Sequence, residues 1–272
     1  HACQWPGLLA FIDDDKQPYL YYSHNYNKDG VAVGETYAAK LKDDLSSIIG
    51  EPTFVSSASQ PWECVNWEKN RCNEGPWVIK HGKKYVMTYS ANDTGFDHYG
   101  IGVAEASRPL GPWKKCDDNP ILTTDRKKGV SSPGHNSIVQ CPDGTLRIVY
   151  HRHADPNCKL PNWDRVVCID KIKFTGKGHL KLSNSTHHFH KKIKRLLPNT
   201  HIGSSRLSHY SHANLSGAIV INLHPKAVSI FAMVCIVKLC LPVSHLDISD
   251  SRLCNLCANS FCVSPSDFKT SF

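Results

Sequence analysis

Three similar units recur along this chain, and they limit its fold more than any other feature. Each is an apolar strand, a turn and an aromatic or apolar strand, at residues 8–23, 76–90 and 137–151. In the first, Leu8 to Ile12 is apolar, Asp13-Asp14-Asp15-Lys16-Gln17-Pro18 turns, and Tyr19-Leu20-Tyr21-Tyr22-Ser23 follows. In the second, Val78-Ile79 and Lys84 to Ser90 flank His81-Gly82-Lys83. In the third, Ser137 to Cys141 and Thr145 to His151 flank Pro142-Asp143-Gly144. Val31 to Leu41, Pro52 to Ser56, Tyr99 to Ala106 and Val166 to Phe174 are further strand candidates. Short strands with turn residues between them specify an all-β sandwich, barrel or propeller. The units start about 60–70 residues apart, longer than a usual four-stranded blade, and their repetition favours a propeller.

The chain divides near residue 180. Of its 32 Lys and Arg, ten follow that point, whereas only three of its 24 Asp and Glu do. Residues 1–180 are therefore nearly neutral, which argues against a nucleic-acid groove there. Residues 181–272 carry the basic run Lys191-Lys192-Ile193-Lys194-Arg195 and lack both Trp and Glu. From Asn184 to Ser216 no period of 2 or 3.6 is sustained, so this part is expected to be irregular and poorly ordered. Ala227 to Val243 is apolar but short for a membrane span, and Lys238 interrupts it, so no membrane association is expected. The first residues form no signal peptide, and a chain opening at His1 reads as one that begins inside a domain.

Twelve cysteines are numerous, and Cys64 and Cys72 flank a short loop that a disulfide could close in a secreted protein. Cys254-x-x-Cys257 is half of a zinc or redox pattern without its other half. Asn92-Asp93-Thr94, Asn184-Ser185-Thr186 and Asn214-Leu215-Ser216 are glycan-acceptor patterns that mildly favour secretion.

Chemistry is suggested first by Glu74-Gly75-Pro76-Trp77, a carboxylate before a Gly-Pro break. This pattern places an acid on a loop at the mouth of a hairpin, where a rigid sheet can hold it. A carboxyl beside apolar and aromatic groups can keep its proton and donate it. A glutamate before a turn is more often simply solvated. Glu63, Glu68 and Asp97 are other acidic candidates, while Asp13-Asp14-Asp15 reads as an exposed turn despite looking like a calcium cluster.

Taken in order, five stretches resemble glycoside hydrolase family 43, the arabinosidases and xylosidases built on a five-bladed β-propeller. They are Phe11-Ile12-Asp13-Asp14-Asp15 before Tyr19-Leu20-Tyr21-Tyr22; Glu74-Gly75-Pro76-Trp77 before Lys84-Tyr85-Val86-Met87-Thr88-Tyr89-Ser90; Tyr99-Gly100-Ile101-Gly102-Val103-Ala104 with Leu110-Gly111-Pro112-Trp113; Gly134-His135-Asn136-Ser137-Ile138-Val139 with Pro142-Asp143-Gly144 and Val149-Tyr150-His151; and Arg165 before Val166-Val167-Cys168-Ile169-Asp170. The resemblance implies an incomplete five-bladed propeller over 1–180, followed by the irregular tail. It implies an inverting glycosidase, extracellular, acting on arabinose- or xylose-containing oligosaccharides or polysaccharides.

By resemblance, Glu74 is the general acid, Arg165 faces the sugar, and His135 stands near the central channel, beside a calcium ion or its water. Trp77 is a candidate sugar platform, although blade core is the commoner fate of such a ring. The resemblance puts the general base in a blade preceding His1, so the chain is expected to hold the acid without its base. It also carries an orienting aspartate four residues before Phe11, where this chain has Gly7. A non-catalytic carbohydrate-binding propeller is the alternative, keeping Trp77, Arg165 and His135 without needing Glu74.

Overall fold

The computed structural model describes residues 7–183 and is all-β among them apart from two single-turn 3-10 segments. Strands β1 (Leu8–Ile12), β2 (Pro18–Lys28), β3 (Val31–Leu41) and β4 (Ile48–Ser57) form one antiparallel meander. Strands β5 (Asn70–His81), β6 (Lys84–Ala91), β7 (Gly100–Ala106) and β8 (Lys114–Lys115) form a second. Strands β9 (Gly134–Gln140), β10 (Leu146–His153), β11 (Arg165–Phe174) and β12 (Leu180–Leu182) form a third. These are three propeller blades, and the recurring units are the first two strands of each. Three parallel pairs, Ala32 to Gly34 against Asn70 to Cys72, join the first two blades into one eight-stranded sheet. The innermost strand β5 packs against both β1 and β9.

Aromatic strands follow from this arrangement. Blades diverge from the axis, and wide rings fill the wedge between them. Tyr19, Tyr21, Tyr85, Tyr89 and Met87, with Phe11, Trp62 and Trp113, fill the wedge between the first and second blades. The buried Tyr21 hydroxyl donates to the Pro109 carbonyl at 2.7 Å, so the ring enters the core without an orphaned polar atom. Val86, Ile101, Val103, Ile138, Ile148 and Tyr150 build the core between the second and third blades.

Several expectations need correction. Asp13 is not exposed; it is buried, bonded to the Tyr85 hydroxyl and to Lys80 Nζ at 2.6 Å. Burial opposes its ionisation, but the bonds from Lys80 and Tyr85 prevail and hold its carboxyl below the usual range. It therefore ties the first blade to the second. Asn92 is buried and its amide donates to the Trp62 and His98 carbonyls, so a glycan has no access to it in the fold. Cys64 and Cys72 carry free thiols. Asp97 pairs with Arg126 at 2.8 Å, and Glu68 is exposed. Strands β8 and β12 escape sequence reading because two or three residues show no period. The basic run, the apolar stretch 227–243, Cys254-x-x-Cys257 and the acceptor patterns at Asn184 and Asn214 lie outside the described residues.

Candidate active site

Glu74 stands inside β5, not on a loop. Its partner across the ladder is Ser90, and the next pair is Trp77 with Thr88, so Gly75 and Pro76 form a bulge. Gly75 takes φ +59°, which suits a residue without Cβ, and Pro76 has no N–H to leave unpaired. A bulge bends the strand and re-aims the adjoining side chain, whereas a turn would have ended it. The Gly75 N–H donates to Ser23 Oγ at 3.0 Å, which pins the bulge to the first blade.

The Glu74 carboxylate is 13% exposed. Tyr99 Oη donates to Oε1 at 2.7 Å and Asn25 Nδ2 to Oε2 at 3.3 Å. Burial, and then the Glu74 charge, push the Tyr99 phenol well above its ordinary pKa, so it remains a donor. Burial, the charges of Glu74 and Asp93, and a hydrogen bond to Glu74 likewise raise the Cys72 thiol. Tyr99 thus holds the carboxylate as a hydrogen-bond donor that keeps its own proton.

His135 Nδ1 lies 4.0 Å from Glu74 Oε1. Its backbone sits at φ +49°, in the left-handed region, and its N–H donates to Ser90 Oγ at 2.7 Å. A non-glycine residue held there costs about 1–3 kcal/mol, and such strain gathers at functional sites. His151 stacks nearly parallel to the Tyr99 ring and to the His135 ring, with centroids 5.8 and 6.4 Å apart. Gly134, paired with His151, lies flat against Tyr99: a Cβ there would fall 1.9 Å from the ring.

Arg165 opens β11, and its Nε and one terminal nitrogen are buried without partners. Burial lowers the guanidinium pKa, against the pull of Tyr99, Glu74 and Asp93. A partly buried cation with free donors is suited to a hydroxyl-rich ligand. Glu74, His135 and Arg165 thus belong to one neighbourhood with Tyr99 and His151. Trp77 does not join it, and packs instead into the core between the second and third blades. Gly7 lies against the site, where a Cβ would come 2.7 Å from Gly75 Cα, so an aspartate does not fit this backbone.

Sequence reading missed Tyr99, Asn25, Asp93 and His151 as parts of the site. The available signal was Gly134 beside His135, a residue too small for an ordinary strand position. Glu63, by contrast, is fully buried against Lys115 and belongs to the scaffold. A calcium ion takes six to eight oxygen ligands. Around His135 the described side chains offer one imidazole and a carboxylate already engaged by Tyr99 and Asn25. That set does not fit protein-ligated calcium.

Two predictions arise here. Gly134→Ala forces Tyr99 off Glu74, so it costs about 1–3 kcal/mol in denaturant unfolding. An unchanged midpoint would show that the Tyr99 ring is free to swing. The second concerns pH. Burial, then Arg165, His135 and His153, push the His151 pKa well below that of free imidazole. The folded state therefore resists protonation at a pH where the unfolded chain accepts it. Stability from this group is complete above about pH 6.5 and falls as pH drops below it, by up to about 1.4 kcal/mol per unit. His151→Phe should flatten the unfolding free energy between about pH 5 and 7. An unaltered slope would assign the effect to His98 and His153, which burial also lowers.

Comparison with known proteins fits this geometry. A family model for glycosyl hydrolases family 43 matches residues 9–180. An extracellular exo-alpha-(1->5)-L-arabinofuranosidase of Streptomyces avermitilis is 39% identical over 120 residues, 42% of this chain and 24% of that protein. A beta-D-galactofuranosidase of Aspergillus niger is 30% identical over 177 residues, 65% of this chain and 45% of that protein. The crystal structure of a thermostable family-43 glycoside hydrolase superposes with a TM-score of 0.64 at 40% identity, covering 69% of this chain and 60% of that one. The chain thus spans less than half the length of these two curated relatives. No helix among the described residues is long and apolar enough to cross a membrane.

Proposed function

The chain belongs to glycosyl hydrolases family 43, and from that membership we propose that Glu74 is the general acid of an inverting, extracellular glycosidase acting on arabinofuranosyl or xylosyl linkages. The observation that carries this reading is the semi-buried carboxylate at the β5 bulge, held by Tyr99 and Asn25 beside an arginine with two unpaired nitrogens. Relatives named as extracellular arabinofuranosidases support the sugar class and the location.

Inversion uses two carboxyls about 6.5–9.5 Å apart, with the attacking water between. Glu74 gives its proton to the leaving oxygen as the C1–O bond breaks. A second carboxylate takes a proton from the water that bonds to C1. Tyr99 and Asn25 fix the carboxyl's direction. Arg165 donates to sugar hydroxyls or the ring oxygen, and His135 borders the acid's oxygen. No residue of the matched stretch takes the base's place in the resemblance. Turnover without that second carboxylate is slower by about 10²–10⁴-fold.

Azide tests this assignment, because it attacks C1 without giving up a proton. With 4-nitrophenyl α-L-arabinofuranoside as substrate, azide should accelerate release of nitrophenolate and yield the glycosyl azide of inverted configuration. A retained anomer would overturn the inverting reading. Sugar binding that persists, with no turnover in azide, would favour a carbohydrate-binding propeller.

A further inference from the structure

Away from Glu74, the outer rim between the second and third blades brings together three side chains of different chemistry. Glu105 lies near the end of β7, Cys116 follows β8, and His179 precedes β12. A carboxylate oxygen, Cys116 Sγ and a His179 ring nitrogen all lie within 4.8 Å of one another. We propose that Glu105, Cys116 and His179 form a zinc site that clips the outer strands of these two blades together.

The hydrogen bonding around the cluster is incomplete. Glu105 Oε1 and His179 Nδ1 are both buried and neither has a hydrogen-bond partner. They face each other at 3.7 Å, too far for a hydrogen bond. Lys84 engages only the other oxygen, Oε2, at 2.8 Å. Buried polar atoms are nearly always satisfied, so two orphans aimed at one point beside a sulfur call for a shared partner. A cation satisfies all three at once.

The donor set selects the metal. Nitrogen, sulfur and carboxylate oxygen are the ligands zinc takes, at about 2.0–2.3 Å in tetrahedral array. Calcium and magnesium want oxygen alone, and copper(I) wants more sulfur. Small side-chain rotations shorten the triangle to zinc's ligand spacing, and three protein ligands leave one position for water. The nearby Asp118 is already paired with Lys181 at 2.9 Å. On binding, the Cys116 S–H bond breaks, its proton passes to solvent, and the sulfur pair bonds to zinc. Nothing is oxidised or reduced. Until then burial and the Glu105, Asp118 and Asp117 carboxylates push the thiol pKa up to about 12 and keep the proton in place.

Cobalt(II), a spectroscopic stand-in for zinc, tests the site in the full chain. One equivalent should produce a thiolate-to-cobalt charge-transfer band and the visible bands of a four-coordinate ion, and zinc should abolish both. Cys116→Ser should remove the charge-transfer band. His179→Ala, at a half-exposed position, should weaken binding by more than about tenfold. The double variant Cys254→Ser, Cys257→Ser should retain the band, which separates this cluster from the cysteine pair near the C-terminus. Zinc should raise the melting temperature of the parent chain but not of the His179→Ala variant. The proposal fails if no band forms, if it survives Cys116→Ser, or if it is lost in the double variant; the contact is then a plain His–Glu pair. Should Cys116→Ser not fold, affinity unchanged in His179→Ala and Glu105→Gln would be equally fatal. None of these residues touches the Glu74 site, so the outcome is independent of the glycosidase reading.

Discussion

Glu74→Gln is expected to slow hydrolysis of an alkyl pentofuranoside by about 10²–10⁴-fold, the usual worth of proton transfer in the transition state. The amide keeps an oxygen for the Tyr99 hydroxyl, which now donates at 2.7 Å, but it has no acidic proton to deliver. An alkoxide is a poor leaving group and needs that proton; 4-nitrophenolate does not. The loss should therefore shrink sharply on the nitrophenyl substrate, while KM changes little. This leaving-group dependence distinguishes a proton donor from a prop. An equal loss on both substrates would mean that the introduced amide disturbs the site's shape, and no loss on either would remove Glu74 from the chemistry. Azide can be present in every measurement, so that attack by water does not limit the comparison.

Glu63→Ala should cost about 3–5 kcal/mol of stability, because it strands a cation in the interior. Glu63 has no exposed surface. Its two oxygens accept from Lys115 Nζ at 2.7 and 2.5 Å, and Oε2 also accepts from the backbone N–H groups of Ser59 and Gln60. Lys115 donates as well to the Ser57 carbonyl at 2.6 Å and is only 13% exposed. Burial lowers its pKa even though Glu63 pulls the other way, which shows how strongly the site resists charge. Removing the carboxylate leaves that resistance without its counterweight. Glu63→Ala with Lys115→Met should recover most of the loss, since an apolar pair often matches a buried ion pair in stability. Urea midpoints of the parent, single and double variants provide the measurement. A single variant within about 1 kcal/mol of the parent would place the pair in effectively wet surroundings.

Much of the blade pattern is legible in the sequence because its signals are local. Leu8–Ile12 and Val31–Leu41 are bounded by turn residues and emerge as β1 and β3 with those ends. The Pro142-Asp143-Gly144 turn likewise sets the β9–β10 hairpin. What is not legible depends on partners distant in the chain. Asp13 looks like one of three solvated carboxylates until Lys80 and Tyr85 reach it from the second blade. Asn92 looks like a glycan acceptor until Trp62 and His98 claim its amide. Glu74 shows as an acid near a break, but Tyr99 and Asn25 come from separate blades, and no linear spacing predicts their meeting. Gly75-Pro76 reads as a stop because both residues commonly end strands. In this ladder they lengthen one side by a residue and let the strand run on to His81.

That extra residue acts as a parity switch. Two residues, Gly75 and Pro76, lie between the paired positions Glu74 and Trp77 on β5, against one, Tyr89, between Thr88 and Ser90 on β6. Paired residues share a sheet face, so Glu74 and Trp77 lie on one face although unbroken alternation over three steps would put them on opposite ones. Were the ladder regular at the same chain length, Glu74 would pair with Ala91 and its carboxylate would turn away from Tyr99. The bulge between acid and core thus decides which face the carboxylate takes, while the far turn at Gly82-Lys83 carries no such restriction.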